Sequence, residues 1–257
     1  MDISLLFLGL FQFFPFIIEG CLGFGATLIS APFNASWMGV TNSVPFDTLM
    51  ATPILYYGAI KFYKQCNYKE LGKVLLILAP GFILGNYLGT VLDPIYCSVA
   101  IGMAISIIAI INISRNIIMP KFSKDNNHKQ NNILHNIFKY FCLIMGSIFH
   151  GAFTIGGPFL TVYLIEAIKD KFSFRSTMFV MWVCLDTFNV LRMGLTNRFN
   201  PYVLQAVLVG MPFAFIGYLV GVKFLDKINQ KQFLKLVYVF LLLIGLNMFV
   251  RNVLLLV

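Results

Sequence analysis

The sequence predicts an all-α polytopic membrane protein made of two homologous halves arranged as inverted repeats. Each half is expected to hold a broken or re-entrant first helical element followed by three transmembrane helices. Three observations predict this fold. Long apolar runs recur along the chain, several motifs repeat at an offset near 131 residues, and the Lys and Arg residues fall mostly on one side of the resulting topology.

The composition is that of an integral membrane protein. Hydrophobic residues make up 59% of the chain and charged residues 11%, against roughly 25% charged residues in a soluble domain. The apolar runs are continuous, which favours helical spans. The net charge of +9 indicates basic loops held in the cytoplasm and not a nucleic-acid partner. The five cysteines lie far apart, so we expect no disulfide framework, no metal site and no cofactor.

The first half covers residues 1–116 and begins with an unusually long apolar stretch. Residues 3–46 carry one charged side chain, Glu19, over more than twice the roughly 20 residues that one crossing needs. This stretch is therefore expected to enter the membrane and return, either as a re-entrant hairpin or as two short helices. Clear spans follow at 44–60, 74–92 and 94–114.

The second half, residues 133–257, follows a polar and basic linker at 117–132. Its first element lies in residues 140–165, which carry no Lys, Arg, Asp or Glu but hold His150 and several glycines. Because it is shorter than residues 3–46, its return is inferred partly from the repeat. The clear spans of this half lie at 176–191, 199–222 and 231–250.

The basic residues support the inverted arrangement. If each first element returns to its starting side, sixteen Lys and Arg residues lie on one side and three, Arg192, Arg198 and Arg251, on the other. Eight simple crossings would divide the same residues twelve to seven. The positive-inside rule favours the first division. It predicts a cytoplasmic linker and both chain termini outside.

The repeat is visible in two pairs of motifs. EGCLGFGATLIS, from Glu19, aligns with HGAFTIGGPFLT, from His150, and PGFILGNYLG, from Pro80, aligns with PFAFIGYLVG, from Pro212. FDTLM, from Phe46, aligns more weakly with FRSTM. Ordered matches at a nearly constant offset indicate duplicated halves, a common plan among transporters.

The glycine-rich motifs are expected to break the two first elements. Irregular backbone within a membrane lines a cavity or is buried in protein, and free N–H groups at helix ends bind anions. Two breaks at corresponding positions therefore predict a substrate site. The alternative is close helix packing, for which membrane helices also use Gly and Pro.

These motifs resemble those of the sulfite exporter TauE/SafE family. The resemblance covers nearly the whole chain apart from the linker, with Phe24, Ala26 and Pro53 departing from the family pattern. It implies a multi-pass permease of the cell membrane, often an exporter, for sulfite or a related small sulfur-containing or organic anion.

Polar residues near the breaks are the candidates for function. Charged Glu19 would cost about 2.5–3.5 kcal/mol in a helix centre, so we expect it to be protonated, paired or hydrated, and with His150 it suggests proton coupling. Arg192 is predicted to bind the anion or, alternatively, to reach the membrane surface. The predicted substrate-binding residues are Gly20, Gly23, Gly25, Thr27, Ser30, Gly151, Thr154, Gly156, Gly157, Thr161 and Arg192.

Two other classes of protein remain open at this point. An anion channel would be expected to carry a ring of like charges or a filter sequence, and neither is evident. An intramembrane enzyme would use Ser147 and His150, but no orienting third group or GxSxG motif accompanies them. A small anion and the lipid bilayer are the expected partners, and a homo-oligomer is left open.

Overall fold

The computed structural model describes residues 3–88, 91, 94–114, 133–153 and 156–254. These residues form ten α-helices and one short 3-10 turn, with no strand among them. The predicted linker and Thr154 lie outside the described residues. The helices are α1 Ile3–Leu22, α2 Ala26–Met38, α3 Val40–Phe62, α4 Tyr68–Leu88, α5 Pro94–Ile113, α6 Ile133–Phe153, α7 Gly157–Ala167, α8 Lys171–Leu195, α9 Pro201–Lys227 and α10 Gln230–Leu254.

The all-helical membrane fold predicted from the sequence is confirmed. Six helices are long and apolar enough to cross a membrane, namely α1, α4, α5, α8, α9 and α10. The predicted span at 44–60 lies within α3, which has 23 residues and buries polar side chains such as Ser43 and Asp47.

The first element of each half consists of one long helix and one short helix. α1 and α2 have 20 and 13 residues, and α6 and α7 have 21 and 11. Within each pair the helices are antiparallel, as ring contacts such as Phe11–Phe33 and Phe149–Phe159 show. A helix of 20 residues is about 30 Å long, which matches the hydrocarbon core. The first break therefore follows a helix that is long enough to cross the bilayer.

Contacts between helices divide the chain into two units. Unit 1 comprises Met1–Leu71 and Lys169–Asn229, and unit 2 comprises Gly72–Ile168 and Gln230–Val257. Unit 1 contains α1, α2, α3, α8 and α9, whereas unit 2 contains most of α4 together with α5, α6, α7 and α10. Each unit thus draws helices from both halves of the sequence.

Glycines determine how α1 packs against α9 in unit 1. A Cβ atom on Gly20 would overlap the carbonyl oxygen of Tyr218, and one on Gly221 would overlap that of Ile17. The two helices are parallel along this contact. The equivalent contact recurs within unit 2, where Gly151 meets the Phe82 carbonyl and Gly85 meets the Ile148 carbonyl.

This recurrence corrects the alignment of α4 with α9. The sequence aligns Gly85 with Gly217, but the carbonyl that Gly85 contacts corresponds to the one that Gly221 contacts. The structural counterparts are shifted by four residues, about one helical turn. Identity of the Pro and Gly residues alone could not reveal this shift, because the glycines recur at the same four-residue spacing.

The equivalent helices of the two halves are antiparallel where they meet within one unit. In unit 1, Tyr56 and Phe62 of α3 bond to Thr187 and Ser176 of α8, so the chain directions oppose one another. In unit 2, α5 and α10 contact each other with the same opposed directions, as Gly102, Ser106, Gly245 and Phe249 show.

Candidate functional site

The break between α1 and α2 is a tight turn that requires glycine. Gly23 has φ +82° and Gly25 has φ +110°, a left-handed conformation that side chains with a Cβ atom rarely adopt. The side chain of Glu19 folds over this turn, and its Oε2 accepts a hydrogen bond of 2.7 Å from the Ala26 N–H. Glu19 therefore caps the start of α2, where a carboxylate also meets the positive end of the helix dipole.

At the break that was predicted to bind an anion, the Ala26 N–H at the start of α2 is thus already bonded to the carboxylate of Glu19. Glu19 is 4% exposed, and Asp186 of α8 is close enough to interact with it electrostatically. Glu19 of α1 and Asn189 of α8 are thus polar side chains buried in unit 1.

Arg175 is the residue beside this break that sequence reasoning missed. Its side chain is 1% exposed. The guanidinium lies over the ring of Phe62, with Cζ 4.3 Å from the centroid, and its Nη1 donates to the Gly20 carbonyl at 3.4 Å. Its Nε has no hydrogen-bond partner among the described residues. A planar cation with several donors is therefore held in the interior by one weak hydrogen bond and by aromatic contacts.

The phenol of Tyr218 completes the surroundings of Arg175. Both side chains contact Phe179, with the Arg175 Cζ atom 5.9 Å and the Tyr218 ring 5.8 Å from its centroid. The Tyr218 hydroxyl is buried and has no partner among the described residues. A Cβ atom on Gly58 would lie 2.7 Å from this hydroxyl, so glycine keeps the space beside it open.

A second polar cluster joins α1, α2 and α3. It consists of Gln12, Ser30, Asn34 and Asp47, each less than 9% exposed. Ser30 was predicted as a substrate residue, whereas the other three were not singled out. The available signal was the FDTLM and FRSTM alignment, which places Asp47 and Arg175 at equivalent positions.

The predicted residues of the second break lie in unit 2. His150 is 5% exposed and lies beside Phe82, with ring centroids 6.0 Å apart. A Cβ atom on Gly156 would overlap the Gly146 carbonyl and would lie 2.6 Å from the His150 Cβ. Close packing therefore suffices to explain this glycine, and a role in substrate binding stays a prediction. Because the two breaks belong to different units, their joint use in one site also stays a prediction.

The remaining candidates occupy several environments. Gly157 and Thr161 are buried in α7, and the Thr161 hydroxyl donates to the Gly157 carbonyl. Ser147 likewise donates to the carbonyl of Ile144, a bond that hydroxyl residues often form within helices. Thr27 is exposed at the start of α2, and Arg192 is exposed near the end of α8.

The comparison with protein families agrees with this architecture. The model of the sulfite exporter TauE/SafE family matches residues 8–248, nearly the full chain of 257 residues. No curated protein and no solved structure gives a significant match. With six helices able to span a bilayer and a family match over both halves, this multi-pass protein of the cell membrane belongs to the sulfite exporter TauE/SafE family of transporters.

Proposed function

We propose that this protein transports sulfite or a related small sulfur-containing or organic anion, and that Arg175 is the group that binds it. The observation that carries the proposal is the buried guanidinium, whose Nε–H has no acceptor among the described residues. Arg presents paired donors in a planar fork that matches the oxygens of a small oxyanion.

The charge of Arg175 is not balanced by an acid that contacts it. No described carboxylate forms an ion pair with it, and Asp226, which interacts with it electrostatically, is exposed near the end of α9. Burying a cation inside a membrane protein is costly, and such residues often mark a substrate pathway. A bound anion would supply the missing negative charge and hydrogen-bond acceptors.

A purely structural role for Arg175 is the alternative. Its cation–π contact with Phe62 is worth about 2 kcal/mol when desolvated, and its bond to Gly20 lies at the negative end of α1. Neither contact uses the buried Nε–H or the Tyr218 hydroxyl. Those two unused donors favour a ligand.

The position of Arg175 in unit 1 fits loading from the cytoplasm. Close contacts bring together the ends of α1, α3 and α9 and the start of α8. This end carries the exposed lysines Lys61, Lys64, Lys223 and Lys227, which the positive-inside rule assigns to the cytoplasm. Arg175 is the fifth residue of α8, about 6 Å of helical rise from its start.

The antiparallel contacts of α3 with α8 and of α5 with α10 support the inverted repeat. That arrangement suits alternating access around an internal site. Proton coupling through Glu19 and His150 stays a prediction, and Glu19 has a structural role besides, as the cap of α2.

Ligand binding by purified variants tests the role of Arg175. Thermal unfolding should be measured with sulfite, sulfate, thiosulfate, taurine and sulfoacetate, because a ligand of the native state raises the unfolding temperature. One charge-assisted hydrogen bond is worth about 1.5–3 kcal/mol, so Arg175→Gln should weaken binding of the effective anion about tenfold or more. Tyr218→Phe, which removes only a hydroxyl, should weaken it less.

Arg198→Gln is the control, since it removes an exposed Arg from the loop that follows the same helix. It should leave affinity and flux into proteoliposomes unchanged. A folded Arg175→Gln protein that binds and transports the anion as the wild type does would refute the assignment. If the Gln variant is poorly folded, Arg175→Lys retains the charge but loses the fork, and wild-type affinity in that variant would count equally against it.

A further inference from the structure

The polar cluster of α1, α2 and α3 is built around one carboxylate. Asp47 Oδ1 accepts hydrogen bonds from Ser30 Oγ at 2.9 Å and from Asn34 Nδ2 at 2.6 Å. Gln12 Nε2 donates to Asn34 Oδ1 at 2.9 Å and also to the Leu8 carbonyl. Gln12 thus donates to Asn34, and Asn34 donates to Asp47. This chain of hydrogen bonds joins α1, α2 and α3.

Two oxygens of the cluster are left without a donor. No described residue bonds to Asp47 Oδ2, because both hydrogen bonds of this side chain end at Oδ1. Gln12 is 0% exposed, and its Oε1 has no partner among the described residues. A fully buried acceptor without a donor, as Gln12 Oε1 is, is uncommon and calls for an explanation such as an ion.

No cation among the described residues forms an ion pair with Asp47. The charged groups on the helices of unit 1 around Asp47 are Glu19 on α1, Lys61 on α3, Lys171, Arg175, Asp186 and Arg192 on α8, and Lys223, Asp226 and Lys227 on α9, with Arg198 in the loop between α8 and α9. Among the described residues, the Asp47 side chain is hydrogen-bonded by Ser30 and Asn34 alone. Asp47 retains 7% exposure, so the carboxylate is not sealed against exchange.

We propose that Gln12, Ser30, Asn34 and Asp47 form a binding site for a monovalent cation, either Na⁺ or a proton, that is coupled to transport. Carboxylate, amide and hydroxyl oxygens are hard ligands that suit a small cation. Gln12 lies halfway along α1, so the ion would be held well inside the helix bundle. The coupling of this cation to transport rests on the proposed transport of an anion. Binding of the cation itself does not depend on that proposal.

Thermal unfolding of the purified protein distinguishes the two cations. Titration with NaCl at constant ionic strength, balanced with choline chloride, should raise the unfolding temperature if the ion is Na⁺. If the ion is a proton, the unfolding temperature should not respond to Na⁺ but should depend on pH. Asp47→Asn should abolish a response to Na⁺ and Ser30→Ala should weaken it severalfold; if the ion is a proton, Asp47→Asn should remove the share of the pH dependence that Asp47 contributes.

Ser36→Ala is the control for Ser30→Ala, because Ser36 is an exposed serine of the same helix. It should respond as the wild type does. Anion binding by Asp47→Asn separates this proposal from the proposed function: the variant should still bind the anion, although its flux should lose cation dependence. The proposal is overturned if Asp47→Asn or Ser30→Ala keeps the wild-type response to both Na⁺ and pH, or if the wild type responds to neither.

Discussion

Glu19 offers a direct test of whether the first break is held by a cap or carries protons. Its Oε2 accepts from the Ala26 N–H at 2.7 Å in a buried position. Glu19→Leu removes that acceptor and leaves a backbone N–H buried at the start of α2. A hydrogen bond to a charged group is worth about 1.5–3 kcal/mol, and the charge at the helix N-terminus adds about 0.3–1 kcal/mol. We expect Glu19→Leu to lose about 2–4 kcal/mol of unfolding free energy.

Glu19→Gln is the matched control, because its side chain has the same length and keeps an oxygen that can accept the hydrogen bond. It should retain much of the stability that Glu19→Leu loses, since only the charge is removed. Both variants should be compared with the wild type by reversible unfolding in detergent or lipid. Equal stability of Glu19→Leu and the wild type would show that the capping bond contributes nothing. If Glu19 also carries protons, Glu19→Gln should flatten the pH dependence of flux, and an unchanged dependence in a folded variant would remove it from coupling.

Two further predictions concern packing and topology. Gly20→Ala should destabilise the protein by about 1–3 kcal/mol, because its Cβ would overlap the Tyr218 carbonyl. Gly72→Ala, in a helical site with open space, should be neutral or stabilise by up to about 1 kcal/mol, and thermal unfolding of both variants checks the contrast. In a cysteine-free background, an impermeant thiol reagent should label a cysteine at Arg198 but not one at Lys64 in intact cells. The reverse labelling would contradict the assigned orientation of unit 1.

The sequence was sufficient to predict the helices because the bilayer imposes a length and a composition on each span. The predicted spans 94–114 and 231–250, for example, have nearly the same bounds as α5 and α10. The long apolar stretch before residue 46 forms two antiparallel helices, α1 and α2, and its return to the same side of the membrane stays a prediction. The lengths of the two helices could not be predicted, because a turn made by Gly23 and Gly25 fits a short hairpin as well as a long helix followed by a short one.

Arg175, the proposed anion-binding residue, was missed because charge counting treats every basic residue near a loop alike. Arg175 follows Lys169 and Lys171 in sequence, and it was counted with them. Asp170 caps α8 through the Ser173 N–H, so Arg175 is already one turn inside the helix. There it points towards Phe62 and Gly20, contacts that depend on tertiary packing and leave no periodic signal.

The weak FDTLM and FRSTM alignment proves informative once the side chains are placed. Asp47 and Arg175 occupy equivalent repeat positions, carry opposite charges and are both buried in unit 1. They are not partners. Arg175 contacts Phe62 of α3, and fifteen residues of that helix separate Phe62 from Asp47, which is about 22 Å of helical rise.

An ion pair requires a separation of only a few ångströms, so neither charge can neutralise the other at this distance. In the two proposals each charge is balanced locally, that of Arg175 by an anion and that of Asp47 by a cation. The two binding proposals therefore make separable predictions. Arg175→Gln should abolish the anion response and spare the cation response, whereas Asp47→Asn should do the opposite. Loss of both responses in either folded variant would show that the two charges act through one site, contrary to the separation seen along α3.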